Sequence, residues 1–285
     1  MMNYDLFKKV IKERIMEYLP PIFSEAEVSI EKINKINEEK ESLIIMLKGD
    51  NMVYAAPSIY LDDMYEEFSE HEDLDDILFK ISLTIMQYTG FVPREMIEID
   101  FSSKKDNIVM TLINKEKNKE LLENMPHKEI LDLAIMYRIV MSFDETGFNT
   151  VMLTNELMED MGMTVEELNE LAKKNTCRIF PLEICKFSKE FYMMTNEAKV
   201  HGATTMVCPE AMQKLAEIID DDFYIIPSSI HEILAVPSKY AEPRRLIHIL
   251  EEGNKHFIEK NEILSDNIYY YSMEDQELKK ATSYN

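Results

Sequence analysis

"IIPSSIHEILAVP", residues 225–237, decides how the chain is read. Apolar, branched runs lie on either side of Pro227, Ser228 and Ser229, with "FYII" before them and "EILAV" after. Proline fixes φ and serine hydroxyls bond to nearby backbone, so the segment reads as a turn between two strands. The same few positions also hold Ser228, Ser229, His231 and Glu232, residue types that hydrolases use. On an extended backbone Ser229 and His231 share a face and Glu232 points from the other. Same-face neighbours lie roughly 6.6 Å apart at the backbone, whereas a nucleophile and its base need about 2.6–3.2 Å between reacting atoms. A nucleophile elbow would also require G-x-S-x-G, and this segment holds no glycine. A turn is therefore preferred to a ligand-binding corner, and a corner to catalysis. His231 is the residue that either functional reading needs.

Outward from this hairpin, strand and helix patterns alternate. Leu6, Val10, Ile11, Ile15 and Tyr18 fall at helical spacing until Pro20-Pro21 stops them. "AEVSIEKINKINEEKESLIIMLKG" gives a strand, a turn at the polar "NEEKE" and a second strand. "MVYAAPSIYL" gives a third, with Pro57 confined to an edge or bulge. Residues 61–89 mark a long helical region broken near His71. "EMIEIDF" and "DNIVMTLIN" read as short strands, and "KEKNKELLENMP" as a helix ended by Pro126. "HKEILDLAIMYRIVM" reads as a buried strand, with a helix as the alternative. Farther on, Thr154-Asn155 can cap a helix, Thr164 and Glu167 make a capping box, and Asn175 closes the helix that follows. "TTMV" reads as a strand, Pro209 opens the next helix, and "EPRRLIHILEEGNKHFI" is helical. MLTNE at 152–156 is echoed by MMTNE at 193–197, too short a match to establish a repeat.

The expected architecture is α+β, with antiparallel or mixed β-sheets packed against helices in two lobes. The lobes are residues 1–123 and 124–263, and residues 264–285 form a tail that is weakly ordered or docked on the surface.

Composition narrows the function classes. With 285 residues, 46% of them hydrophobic, the chain can build a core without staples. Cys177, Cys185 and Cys208 fit neither a zinc knuckle nor a disulfide framework, and read as reduced thiols in a cytoplasm. The first twenty residues are charged throughout, so no secretory signal is expected. Against 54 Asp and Glu stand 31 Lys and Arg, a formal net charge of -23. That sign repels phosphate backbones and anionic headgroups, so neither direct nucleic-acid binding nor membrane binding is expected. Solubility is the plain explanation, and an acidic decoy for a nucleic-acid-binding partner is the narrower one. The 21 methionines substitute for Leu and Ile in a core and point to no function.

The individual motifs favour structure over chemistry. The carboxylates of residues 62–76 surround His71, a pattern that more often makes a solvated helix face than a metal site. Only six glycines occur, and none form a phosphate-cradling loop. His231-Glu232 begins an H-E-x-x-H motif that lacks its second histidine. Cys177 without a local signature reads as a packed small side chain. No metal and no cofactor are expected.

Several fragments taken together resemble a known family. "YAAPSIYLDDMYEEF", "NMPHKEILDLAIMYR", "VMLTNELMEDMGMTVEELNELAKKNT", "FYMMTNEAKVHGATTMV" and "YIIPSSIHEILAVP" are similar, in order and spacing, to the bacterial domain-of-unknown-function family 5688. The resemblance runs from about Tyr54 to Asn254 and implies a bacterial origin without supplying an activity. It gives weight to Pro126, His127, Asp132, Asn155, Asn175, Asn196, Gly202, Pro227, Ser228, Ser229, His231 and Glu232.

Two functional expectations follow. The first is a non-enzymatic binding or adaptor protein with an acidic surface and a protein partner. The second is an enzyme with a noncanonical polar site where Asn155, Asn175, Asn196, Ser229 and His231 converge at strand ends. The missing catalytic set leans the reading away from an enzyme.

Overall fold

The computed structural model describes residues 2–46, 52–55, 59–88, 90–93, 101–144 and 147–281. The architecture is α+β with antiparallel sheets, and the chain forms two compact units. One comprises residues 1–35 and 39–100, the other residues 36–38 and 101–285.

In the first unit, α1 (Tyr4–Arg14) begins at Asn3, whose Oδ1 accepts the Leu6 N–H at 2.9 Å. The strands are β1 (Glu27–Lys35), β2 (Glu38–Met46), β3 (Met52–Ala55), β4 (Ile59–Tyr60) and β5 (Gly90–Pro93). β1, β2 and β4 form one sheet, and β3 pairs with β5. The β1–β2 turn falls at Ile36-Asn37, so only the first residue of "NEEKE" turns and the rest belongs to β2; Asn37 takes the left-handed conformation (φ 61°) that asparagine tolerates. The expected helical region is α2 (Leu61–His71) and α3 (Leu74–Tyr88), separated at Glu72 with φ 53°. Phe7 and Ile11 of α1, Leu61 and Phe68 of α2, and Ile77, Leu78 and Ile81 of α3 close over Leu43 and Ile45 to form the core. Pro57, and "EMIEIDF" as far as Asp100, lie outside the described residues.

The second unit carries two larger sheets. β6 (Ile108–Asn114), β7 (His127–Ile130), β8 (Leu133–Asp144) and β9 (Gly147–Met152) make the first. β8 pairs with β6 along one edge, and with β7 and then β9 along the other. "HKEILDLAIMYRIVM" is therefore a tight hairpin turning at Leu131 (φ 56°) and Asp132, and neither one strand nor a helix. α4 (Lys119–Glu123) lies between β6 and β7, and α5 (Asn155–Asp160) and α6 (Val165–Ile179) follow β9. The Thr164–Glu167 capping box starts α6 as expected.

The other sheet contains β10 (Leu182–Lys186), β11 (Tyr192–Asn196), β12 (Phe223–Ile226), β13 (Ile233–Pro237), β14 (Tyr269–Ser272) and β15 (Glu277–Lys280). Their order is β10-β11-β13-β12-β14-β15, and every neighbouring pair is antiparallel. α7 (Pro209–Ile219) precedes β12, and α8 (Pro243–His256) follows β13. Tyr137, Met194, Phe223 and Tyr269 from the two sheets, with Leu168 of α6 and Leu215 of α7, belong to one buried cluster.

Three further expectations are corrected in this unit. "TTMV" lies in a 3-10 helix (Gly202–Val207), because Thr204 and Thr205 turn their hydroxyls back onto the carbonyls of His201 and Gly202 instead of projecting from a pleat. Asn175 does not close α6. Its side chain reaches across to the Lys105 carbonyl at 2.9 Å, and the helix runs on to Ile179, two residues before Pro181. The tail is no surface appendage. β14 pairs with β12, and Asp132 at the β7–β8 turn accepts from Ser265 Oγ, Asn267 Nδ2 and Tyr269 Oη at 2.6–3.0 Å. Burial opposes ionisation of Asp132, but these three donors outweigh it and hold the carboxyl below its usual range.

Candidate functional site

β12 and β13 pair in register from Phe223 opposite Pro237 to Ile226 opposite Leu234, leaving Pro227–Glu232 as the connection. The geometry inside that connection is self-contained. Ser228 Oγ donates to Glu232 Oε1 at 3.0 Å, and Ser229 Oγ accepts the His231 N–H at 3.0 Å. Ser229 N–H donates to the Glu232 carbonyl at 3.3 Å. Ser229 and His231 are thus linked through backbone rather than hydroxyl to imidazole, the arrangement of a serine-stabilised turn. His231 Nδ1 accepts the His201 N–H at 3.1 Å. Its Nε2 therefore carries the proton and donates to Glu262 Oε1 at 3.2 Å. The His231 carbonyl accepts Thr195 Oγ1 at 2.8 Å, bringing the end of β11 to this corner.

Of the other expected site residues, Asn196 lies next to Thr195 but closes its own loop through Val200, with Nδ2 donating at 2.8 Å. Asn175 is bonded to Lys105, as described. Asn155 opens α5, and its Nδ2 donates to the Glu123 carbonyl at 3.2 Å. The structure brings Asn196, Ser228, Ser229, His231 and Glu232 to one end of the sheet, while Asn155 and Asn175 serve other junctions. The five polar groups of the enzyme reading do not line one cavity. Nor does the MLTNE echo carry into structure, since Thr154-Asn155 starts a helix and Thr195-Asn196 ends a strand.

Beside the corner, the His201 ring stacks on His231 with centroids 5.6 Å apart. Burial, then Arg138, then His231 push its pKa down to about 3, so it stays neutral through the physiological range. Arg138 on β8 donates Nη1 to Thr150 Oγ1 at 2.8 Å, and burial lowers its pKa as well. Neither Arg138 Nε nor His201 Nδ1 has a hydrogen-bond partner among the described residues.

A second feature was not visible in the sequence. Cys177, near the end of α6, and Cys208, the residue before α7, line one cavity of about 200 Å³ walled by Phe180, Leu182 and Ala211. Cys177 is exposed and Cys208 is only 3% exposed. The Cys208 thiol beside it lowers the Cys177 pKa to about 7, against burial and Glu210 and with help from Lys173. Cys208 is held as the thiol by that same contact and by its burial. The other polar groups on the cavity wall are largely committed. Thr176 donates to the Ala172 carbonyl at 2.6 Å, Thr204 to His201 at 2.9 Å and Thr205 to Gly202 at 2.7 Å. A spacing of 31 residues hides such a pair from any local pattern; Cys208-Pro209 at a helix start was the one available signal.

In the first unit, the carboxylates of α2 and α3 face outward. Lys40 takes Asp63, Lys80 takes Glu67 and Asp76, and Arg14 takes Asp75. Glu66 and Glu72 are exposed with no ion pair among the described residues. No three His, Cys, Asp or Glu side chains converge as a metal centre among those residues, and no helix there is long and apolar enough to cross a membrane.

No curated protein and no solved structure matches the chain. A family model does match, over residues 4–191 and again over residues 185–273, bearing out the resemblance drawn from the quoted fragments. Together the two stretches take in the corner, the thiol cavity and the acidic helices. The chain belongs to DUF5688, a family of unknown function.

Proposed function

We propose that this is a cytoplasmic bacterial protein that works by binding, its acidic surface engaging a basic protein partner. The observation that carries the reading is the excess of 54 carboxylates over 31 Lys and Arg, with unpaired members such as Glu66 and Glu72 standing out on the α2–α3 face. Such a surface steers a basic partner and repels phosphate backbones and anionic lipids. In its narrower form the partner is a nucleic-acid-binding protein whose basic groove the chain occupies as a decoy. The catalytic alternative around Asn155, Asn196, Ser229 and His231 has weaker support, because each of those groups is already engaged by a backbone group.

The test is affinity purification of the tagged chain at native expression, followed by mass spectrometry of intact complexes at low and high salt. A stoichiometric basic partner that high salt releases is expected, since screening weakens contacts between exposed charges. Displacement of that partner's nucleic acid by the chain would support the decoy form. A chain that purifies alone at low salt would sink the proposal.

A further inference from the structure

We propose that Cys177 and Cys208 form an oxidation site for small organic hydroperoxides, with Cys177 reacting first and Cys208 closing a disulfide. The inference goes beyond the binding reading and rests on a different part of the molecule. It begins from the cavity, where two thiols meet on a wall whose threonine hydroxyls and Asn196 amide already donate to backbone carbonyls. Besides the two thiols, the wall carries the charged side chains of Glu210 and Lys214. Phe180, Leu182 and Ala211 give the cavity an apolar wall that suits an alkyl or aryl group.

The asymmetry of the two thiols assigns their order. Cys177 is exposed, lies one helical turn from Lys173, and has its thiol pKa pulled down towards neutrality by its surroundings. Cys208 is buried against it as the protonated partner. An accessible thiolate poised beside a second thiol is the arrangement that reversible thiol oxidation uses. A single alkylating electrophile would need only one thiol, whereas disulfide formation needs both.

The chemistry balances with the hydroperoxide as oxidant. The Cys177 thiolate attacks the terminal peroxide oxygen, the O–O bond breaks, and the alkoxide takes a proton and leaves as an alcohol, giving Cys177 sulfenic acid. The Cys208 sulfur then loses its proton and attacks the Cys177 sulfur. The S–O bond breaks and water departs. Two thiols and one hydroperoxide become one disulfide, one alcohol and one water. Cys185 supplies an internal control, since its thiol donates to Glu183 at 3.3 Å and its pKa is raised.

The experiment treats the reduced chain with equimolar cumene hydroperoxide at neutral pH and follows it by intact mass and peptide mapping. Loss of two hydrogen atoms with Cys177 linked to Cys208 is expected. Cys208→Ser should stop at a sulfenic acid on Cys177 that dimedone captures, Cys177→Ser should block both products, and Cys185→Ser should behave as the parent. Cys177 is exposed, so its replacement leaves the packing intact. Two thiols that stay reduced in excess peroxide would overturn the proposal. So would a linkage through Cys185, or oxidation of Cys177→Ser at the parent rate.

Discussion

The 227–232 corner and the Cys177–Cys208 cavity are neighbours in the second unit, and they are built in opposite ways. The corner gathers serine, histidine and glutamate within six consecutive residues, and each finds a hydrogen-bond partner inside the fold. In the cavity, a cysteine of α6 and the cysteine that precedes α7, 31 residues apart in sequence, share one wall. Crowding in sequence made a turn; convergence in space left reactive groups free. Hydrogen bonds between near neighbours close easily, because little chain entropy opposes them, so a local cluster of polar residues is most often consumed by its own backbone.

Gly202 tests whether the two regions depend on one piece of backbone. A Cβ there would overlap Thr195 Oγ1 and the His231 carbonyl oxygen, and the Gly202 carbonyl also holds Thr205 on the cavity wall. Gly202→Ala should cost more than about 3 kcal/mol in urea unfolding and should loosen both sites at once. If it unsettled the corner and left Cys177 reactivity untouched, the two would be mechanically separate.

The next effect is one of pH. The folded pKa of His201 is depressed from its ordinary 6.5 to about 3. Above the unfolded value neither state binds this proton, and its contribution to stability is fully present. As pH falls from about 6.5 towards 3, only the unfolded chain takes the proton, and stability declines by roughly 1 kcal/mol per pH unit. His201→Asn, which tolerates the left-handed backbone at φ 52°, should flatten that acid limb in denaturation curves recorded from pH 7 to 4. An unchanged limb would show that His201 is not the group responsible.

A smaller effect separates turn from site. His231→Ala removes the acceptor of the His201 N–H and should cost about 1–2 kcal/mol, whereas His231→Asn can restore an acceptor and recover part of that loss. A His231→Asn chain of near-parent stability that had lost a binding or catalytic activity would reverse the reading of the corner as a turn. Ser228→Ala, which loses one half-buried hydrogen bond to Glu232, should change the unfolding free energy by only about 0.5–1 kcal/mol. A loss several times larger would mean that the hydroxyl positions more than this turn.

Much of the fold could be read from periodicity and caps. Thr154 and the Thr164–Glu167 box both start helices where expected, and "FYII" with "EILAV" do form the hairpin. What sequence reading missed was set by long-range partners. Asn175 has the chemistry of a helix stop but bonds to Lys105, seventy residues away, so α6 continues. Thr204 and Thr205 have strand propensity, yet buried beside Gly202 their hydroxyls found carbonyls one turn back. Leu264 and Tyr269 lay in a segment with a polar close, and only the Asp132 donors and the β12 edge give them a place in the core. The thiol pair depends on α6 and the start of α7 coming together, which neither cysteine announces alone.

The place of β14 in the sheet also bears on the order in which the chain can be completed. β12 has β13 on one side and β14 on the other, and β14 emerges from the ribosome only after α8 and the turn beyond it. At roughly 5–20 residues per second, the β12 edge stands open for seconds while "FYII" is already made. During that interval the growing chain offers an unpaired apolar strand to any neighbour. Chains truncated before Tyr269 would keep that edge permanently, so partial translation products of this protein are expected to aggregate rather than persist as a smaller soluble fold.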